Sequence, residues 1–332
     1  MIRLINIETL KLETFSGKNI PKYTILSHTW GPDSEELTFD DFQKGITDKP
    51  GVGSIKLKGC CDQVKKDNTK EEKEENKVQY VWIDTCCIDK SSSSELQEAI
   101  NAMFDWYADA SVCYAYLWDV PEDDKPPSDR ESKFFTSRWF TRGWTLQELL
   151  APKEVRFYNT EWKPIGDKIT LNRTIEDITG ISWLVLKGID KIQNASVAQR
   201  MSWAARRETT RPEDLAYCLL GIFDIHMPML YPEGGKDAFF RLQDLIMRKT
   251  GDDSILAWDH NESPDYPNRI TSGEIFAVSP AYFANSGKIV ARKPERIFSE
   301  INVLGGRLGI NLPLHMTESG ELFGLLNCGP KS

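Results

Sequence analysis

The chain has 332 residues, 40% of them hydrophobic and 27% charged, with a formal net charge of −9. That is length for about two domains with a substantial core, and the composition of an ordinary soluble protein rather than a disordered one. The negative balance argues against non-specific binding to nucleic acid or anionic membrane, so no nucleic-acid partner is expected. No apolar run approaches the ~20 residues of a membrane span, and the opening Met-Ile-Arg-Leu-Ile-Asn has no signal-peptide core. A cytoplasmic location is the expectation. Seven cysteines, two pairs of them adjacent (Cys60-Cys61 and Cys86-Cys87), do not suit a secreted disulfide framework and predict reduced thiols. Without a Cys-x₂-Cys pair matched by a second one, and with the histidines (His28, His226, His260, His315) scattered, no metal site is expected.

In chain order, Arg3–Ile7 reads as a short strand or lead-in, and Lys22–Ser27 as a compact β-prone run ending in His28-Thr29-Trp30-Gly31-Pro32, where Gly-Pro marks a turn. Phe39–Lys44 and Ile55–Val64 suit helical pieces. Lys65–Lys77 has no apolar residue and reads as a solvated loop or exposed helix extension. Val78–Asp84 is the clearest strand, an apolar run typical of a buried parallel strand. Ser94 with Gln97 forms a capping-box pattern for a helix over Glu95–Ala110, whose stripe of Leu96, Ala99, Ile100, Met103, Phe104 and Tyr107 reads as core. Val112–Leu117 is the next strand, ending at Trp118-Asp119, and Glu154–Tyr158 another.

Between these two strands, a short helix fits from about Gly143 to Ala151, stopped by Pro152. Leu146, Leu149 and Leu150 share its core face, Glu148 points away, and at ~100° per residue Trp144 lies over Glu148 one turn earlier. A carboxylate beside an aromatic ring suggests a pocket wall, whereas the plain alternative is a solvated glutamate. Alternating strands and helices predict a parallel sheet with right-handed crossovers, and open sheets of this kind bind ligands beyond the carboxyl ends of their strands. That rule gathers Ser27–Trp30, Asp84–Asp89 and Asp119 on one edge, and a single cleft holding Trp30, Asp84, Trp144 and Glu148 is expected.

Downstream, helix patterns cover Ser196–Arg207, Glu213–Ile225 (with Pro212 at its start) and Asp237–Arg248. His226, among apolar residues, reads as structural. From Ile255 onward, short β-type runs (Ile255–Trp258, Glu274–Val278, Lys288–Ala291, Gly309–Leu314, Leu322–Asn327) alternate with turn residues and predict a small antiparallel sheet. The last of them stops at Asn327-Cys328-Gly329 without an obvious close, which suits a natural chain that continues. The expected division is an α/β core over 1–165, a helical region over 166–250 and a β-rich region over 251–332.

Three stretches together resemble the fungal heterokaryon-incompatibility (HET) domain: Tyr23–Gly31 (Tyr-Thr-Ile-Leu-Ser-His-Thr-Trp-Gly), Val81–Asp89 (Val-Trp-Ile-Asp-Thr-Cys-Cys-Ile-Asp) and Arg142–Pro152 (Arg-Gly-Trp-Thr-Leu-Gln-Glu-Leu-Leu-Ala-Pro). Arg200–Tyr231 resembles the segment that follows this core in many members. The resemblance implies a fungal cytoplasmic protein of non-self recognition whose activation kills the cell, often joined to a receptor-type ATPase. No P-loop occurs here, so such a module would be a partner or lie outside this chain. The core also looks like a divergent Toll/interleukin-receptor (TIR) domain, which implies a flavodoxin-like, mainly parallel sheet with flanking helices. Ser137-Arg138-Trp139 and Leu146-Gln147-Glu148-Leu149 resemble the Ser-x-Trp-Cys-x-x-Glu-Leu pattern of TIR NAD-hydrolases, and the catalytic glutamate of that pattern falls on Glu148. The chain departs by inserting residues between Trp139 and Glu148, which offers Trp144 as the equivalent tryptophan, and by carrying His28-Thr29-Trp30 in the first loop.

The resemblance thus implies an NAD⁺ glycohydrolase, with NAD⁺ as substrate rather than bound cofactor and self-association as the route to activity. Glu148 would stabilise the ribosyl cation, Ser27, Trp30 and Asp84 would line the pocket, Trp30 or Trp144 would stack on a ring, and Arg142 would contact phosphate. Each has a plain alternative: packing for the tryptophans, turn capping for Asp84, a surface ion pair for Arg142. Two other functions fit the residues, a non-catalytic homotypic assembly domain and a cysteine hydrolase using Cys86 or Cys87 with His28.

Overall fold

The computed structural model describes residues 1–259, 275–291, 301–304, 307–310, 314–317, 322–324 and 326–330. The chain divides into two compact units, Met1–Ile189 and Asp190–Ser332.

The first unit is built on one seven-stranded sheet with the order β2-β1-β4-β3-β5-β6-β7. Its strands are β1 (Ile2–Asn6), β2 (Leu12–Phe15), β3 (Tyr23–His28), β4 (Tyr80–Trp82), β5 (Val112–Tyr116), β6 (Val155–Tyr158) and β7 (Pro164–Asp167). Four of them, β4-β3-β5-β6, run parallel, and β1–β2 and β7 are antiparallel additions at the two sides. Every residue of β3 and β5 is buried, so both faces are covered and neither strand alternates polar with apolar residues. Numbered by chain order, the parallel block runs 2-1-3-4. The order reverses between β3 and β5, and the crevice beyond the carboxyl ends at such a reversal is where an open sheet takes its ligand.

The helices α1 (Phe39–Gln43), α2 (Val52–Asn68), α3 (Asp84–Cys87), α4 (Ser93–Asp109) and α5 (Thr145–Leu150) form the crossovers, followed by α6 (Asn172–Thr179) and α7 (Trp183–Leu186). The predicted strand at 78–84 shortens to β4 because α3 begins at Asp84. The cap of α4 is Ser92, whose hydroxyl accepts from the Glu95 N–H, and not Ser94, which lies inside the first turn. Helix α2 extends through the first residues of the charge run, to Asn68.

In the second unit the continuous helix expected over 213–225 is two short ones, α9 (Asp214–Tyr217) and α10 (Leu220–Phe223), the latter closed by Asp224 in the left-handed region at φ 54°. They follow α8 (Val197–Ser202) and precede α11 (Gly235–Thr250). The fully buried Gln243 of α11 donates to the Ala277 carbonyl and accepts from its N–H, tying down residues 275–279 without a strand there. Ile255–Trp258, expected as a strand, instead falls on a 3₁₀ turn (Asp253–Leu256) entered through an Asp252 cap. Among the described residues, the β-strands of this unit pair antiparallel in three two-stranded ribbons: β8 (Ile289–Ala291) with β13 (Cys328–Pro330), β9 (Ile301–Leu304) with β10 (Arg307–Ile310), and β11 (Leu314–Met316) with β12 (Leu322–Gly324). Parts of the predicted runs at 274–278, 309–314 and 322–327 lie outside the described residues. Among the described residues, no helix is long and apolar enough to cross a membrane.

Candidate functional site

Strand β3 ends in Ser27 and His28, and successive side chains of a strand leave on opposite faces. Ser27 therefore turns to one side of the sheet and His28 to the other, and each anchors a polar group.

On the first side, Ser27 Oγ donates to Glu148 Oε2, and the Trp139 indole N–H donates to Ser27 Oγ at 2.8 Å. All three residues are buried, Glu148 to 7% exposure. Tyr107 of α4 closes the group. Its hydroxyl donates to the Leu26 carbonyl at 3.1 Å, and burial, reinforced by the nearby Glu148 carboxylate, pushes its ionisation well above the ordinary range. Cys113 of β5 is raised for the same two reasons. Trp139 sits in a 3₁₀ turn (Arg138–Thr141) held by the Asp119 carboxylate, which accepts from Ser137 Oγ at 2.8 Å and from the Arg138 N–H at 2.7 Å. Thr145 Oγ1 donates to the Trp139 carbonyl and joins this turn to the start of α5. The expectation that Glu148 points away from the packed face of its helix is corrected here. Every residue of α5 is buried, the glutamate with its leucine neighbours. The tryptophan that reaches the Ser27–Glu148 pair is Trp139.

On the other side, His28 Nε2 lies 3.0 Å from Asp84 Oδ1, and the Trp30 indole N–H donates to Asp84 Oδ2 at 3.0 Å. Lys90 Nζ stands 3.5 Å from Asp84 Oδ2 and 3.6 Å from the centre of the Trp30 ring, a cation–π contact. Burial alone would raise the Asp84 carboxyl. Lys90, His28 and the Thr85 N–H together outweigh it and hold the group well below the usual carboxylate range. Behind this loop Lys56 of α2 donates to Glu36 and to the Thr29 carbonyl (3.0 Å), and Glu36 also accepts from the Gly31 N–H at 2.7 Å. A buried ion pair thus fixes the backbone on either side of Trp30. A cavity of about 520 Å³ opens here, with Trp30, Phe39, Thr85 and Lys90 among its walls. That volume is within the usual span for small-molecule pockets, roughly 300–1,000 Å³.

The single cleft expected to hold Trp30, Asp84, Trp144 and Glu148 is thus resolved into two groups that share the tip of β3. Ser27 and Glu148 belong to one, Trp30 and Asp84 to the other, and both carboxylates act on the Tyr107 hydroxyl. Arg142 and Trp144 are half-buried at the entry to α5. Asp84 opens α3, but no side-chain cap holds that helix start. Sequence reasoning passed over Trp139, Tyr107 and Lys90 as site residues, and put Asp119 on the ligand-binding edge without a role. Trp139 carried a signal, its place in Ser137-Arg138-Trp139, whereas Tyr107 is indistinguishable in sequence from the core stripe of α4. Cys86 and Cys87 are buried: Cys86 donates to the Leu37 carbonyl, and burial pushes Cys87 up to about 12 and Cys86 well above the ordinary thiol value. Among the described residues, no cluster of three or more His, Cys, Asp or Glu side chains is placed to hold a metal ion.

The sequence model of the heterokaryon incompatibility protein (HET) family matches residues 23–133, from β3 through β5 and into the loop beyond it. Over 245 residues, 73% of this chain, the sequence is 48% identical to vegetative incompatibility protein HET-E-1 of Podospora anserina. The chain belongs to the heterokaryon-incompatibility family. The matched region spans 17% of the length of HET-E-1, so this HET chain corresponds to a minor part of that protein. No solved structure matches it. The HET match begins at the first residue of β3 and takes in Ser27, Trp30 and Asp84, whereas Trp139 and Glu148 lie past its end.

Proposed function

We propose that this HET domain is a cell-death effector of fungal non-self recognition that acts by hydrolysing NAD⁺ at the nicotinamide–ribose bond. One observation carries the reading: the buried Glu148 carboxylate is bonded to the last turn-side hydroxyl of β3, beside the point where the strand order reverses. The 2-1-3-4 order of the parallel block is that of a flavodoxin-like sheet and supports a TIR-like core.

The chemistry suits one enclosed carboxylate. Nicotinamide leaves as a neutral pyridine and needs no proton, so a second acidic group at ordinary glycosidase spacing is not required. As the bond breaks, positive charge spreads over the ribosyl carbon and ring oxygen, and a carboxylate held where water is scarce stabilises it most effectively. Trp30, 40% exposed, and the half-buried Trp144 offer stacking surfaces for nicotinamide or adenine, and the guanidinium of Arg142 offers a planar fork for phosphate oxygens. NAD⁺ enters as substrate. Self-association completes the site, and a receptor-type ATPase, as partner or fused module, delivers the trigger.

A hydrolase built on Cys86 or Cys87 is disfavoured, since both thiols are buried and held protonated. The deciding experiment pairs NAD⁺ turnover by purified protein with a cell-killing assay, wild type against Glu148→Gln. Loss of both activities in the variant is expected, with turnover falling at least about a hundredfold for loss of the charge-stabilising group. Killing that survives Glu148→Gln would assign the domain to homotypic assembly instead.

A further inference from the structure

We infer that Ser27 is a positioning residue that holds Glu148 in its ionised form, with its single proton aimed at the carboxylate by Trp139. The inference rests on the NAD⁺-hydrolase reading for its kinetic consequence, and goes beyond it by taking Ser27 away from the substrate. A serine hydroxyl has one proton and two lone pairs, whereas an indole N–H only donates. Because Trp139 donates to Ser27 Oγ at 2.8 Å, one lone pair is occupied and the hydroxyl proton must point elsewhere. The acceptor within reach is Glu148 Oε2, which can take that proton in a hydrogen bond only through a free oxygen lone pair. The arrangement is a one-way chain, indole to hydroxyl to carboxylate, and it favours the charged acid.

Burial pulls the other way. Glu148 is 7% exposed, and the titratable groups facing it from the neighbouring elements are Tyr107 of α4 and Cys113 of β5, both kept neutral. Lys168 reaches the far end of α5, donating to the Leu149 and Pro152 carbonyls. The Ser27 proton, together with the Tyr107 hydroxyl that also bonds Glu148, offsets desolvation of the carboxylate. Asp119 supports the chain one step back, since its carboxylate fixes the turn that carries Trp139. With its proton given to Glu148, one lone pair taken by Trp139 and the side chain wholly buried, Ser27 is assigned to the acid, and substrate contact is left to other residues.

The test has two arms, both on the full chain, with thermal unfolding confirming that each variant is folded. In the first, the Glu148 side-chain carbon, assigned through Glu148→Gln, is followed by NMR against pH without any substrate. Ser27→Ala is expected to move its titration midpoint up by about one pH unit, and Ser27→Thr to restore it. In the second, NAD⁺ turnover by Ser27→Ala is expected to lose kcat about two- to threefold at neutral pH, the most that a one-unit rise takes from a group mostly ionised in the wild type, with KM nearly unchanged, and to recover as pH rises. Trp139→Phe should give a smaller loss, and Ser27→Ala with Trp139→Phe should be no worse than Ser27→Ala alone. An unmoved midpoint in Ser27→Ala overturns the inference whatever the enzyme does. A moved midpoint in a protein that never turns over NAD⁺ keeps the chain of hydrogen bonds and removes the hydrolase reading.

Discussion

Asp84 shows how a partly buried acid can be a net contributor to folding. Its carboxyl is held below the usual range, so its stabilising share is complete above the unfolded value near ~3.9 and drains away as pH falls toward the lower folded value. Asp84→Asn should therefore lower stability by about 2 kcal/mol at pH 7, through loss of charge-assisted contacts to Lys90 and His28. In thermal unfolding scans, the gap between variant and wild type should close below pH ~4, where the unfolded wild-type chain takes up the proton and the contribution goes with it. At this scale the sequence was half legible. The residue types beyond the strand ends were readable because strand-end placement follows from apolar runs and turns. The address of Glu148 was not. Helical periodicity put it opposite three leucines, but that side of this six-residue helix meets Ser27 of β3, which is held in turn by Trp139 of the Arg138–Thr141 turn, and the turn is fixed by Asp119, 29 positions upstream of the glutamate.

Elements with their own signal appear where sequence places them: β3, β5 and β6 are β-prone, well-buried runs, and α4 and α11 carry clean apolar stripes. The strands β2 and β7, four residues each and only partly buried, were missed because an edge strand of that length has too few inward positions to show a period. Close approach between elements is similarly hidden until the packing is known. Gly59 of α2 lies against Trp162, where an added Cβ would stand 2.0 Å from the indole nitrogen. Trp162 cannot easily withdraw, because its backbone is in the left-handed region (φ 59°) and its ring stacks on Tyr116 at 4.9 Å. Gly59→Ala should destabilise the protein by about 2 kcal/mol despite the better helix propensity of alanine, as denaturant unfolding would register. A stability gain in that variant would mean that the helix and the Trp162 turn part more easily than this packing implies.

Across the whole molecule, the order of strands is the feature least visible in sequence, since apolar patterning says that a strand is buried and not which strand lies beside it. The antiparallel insertion of β1 next to β4, ahead of the parallel block, is a case of this. The sheet, its crossover helices and both polar groups at the tip of β3 all fall within Met1–Ile189. A fragment of residues 1–189 is expected to unfold in a single cooperative transition, with coincident near- and far-ultraviolet circular dichroism midpoints. Non-coincident midpoints would show that the first unit depends on the rest of the chain. The alternation of Ser27 and His28 has a mechanical meaning at this largest scale. Ser27 and His28 share one peptide plane, so a change of backbone twist there reaches the Asp84 contact on one side of the sheet and the Glu148 contact on the other.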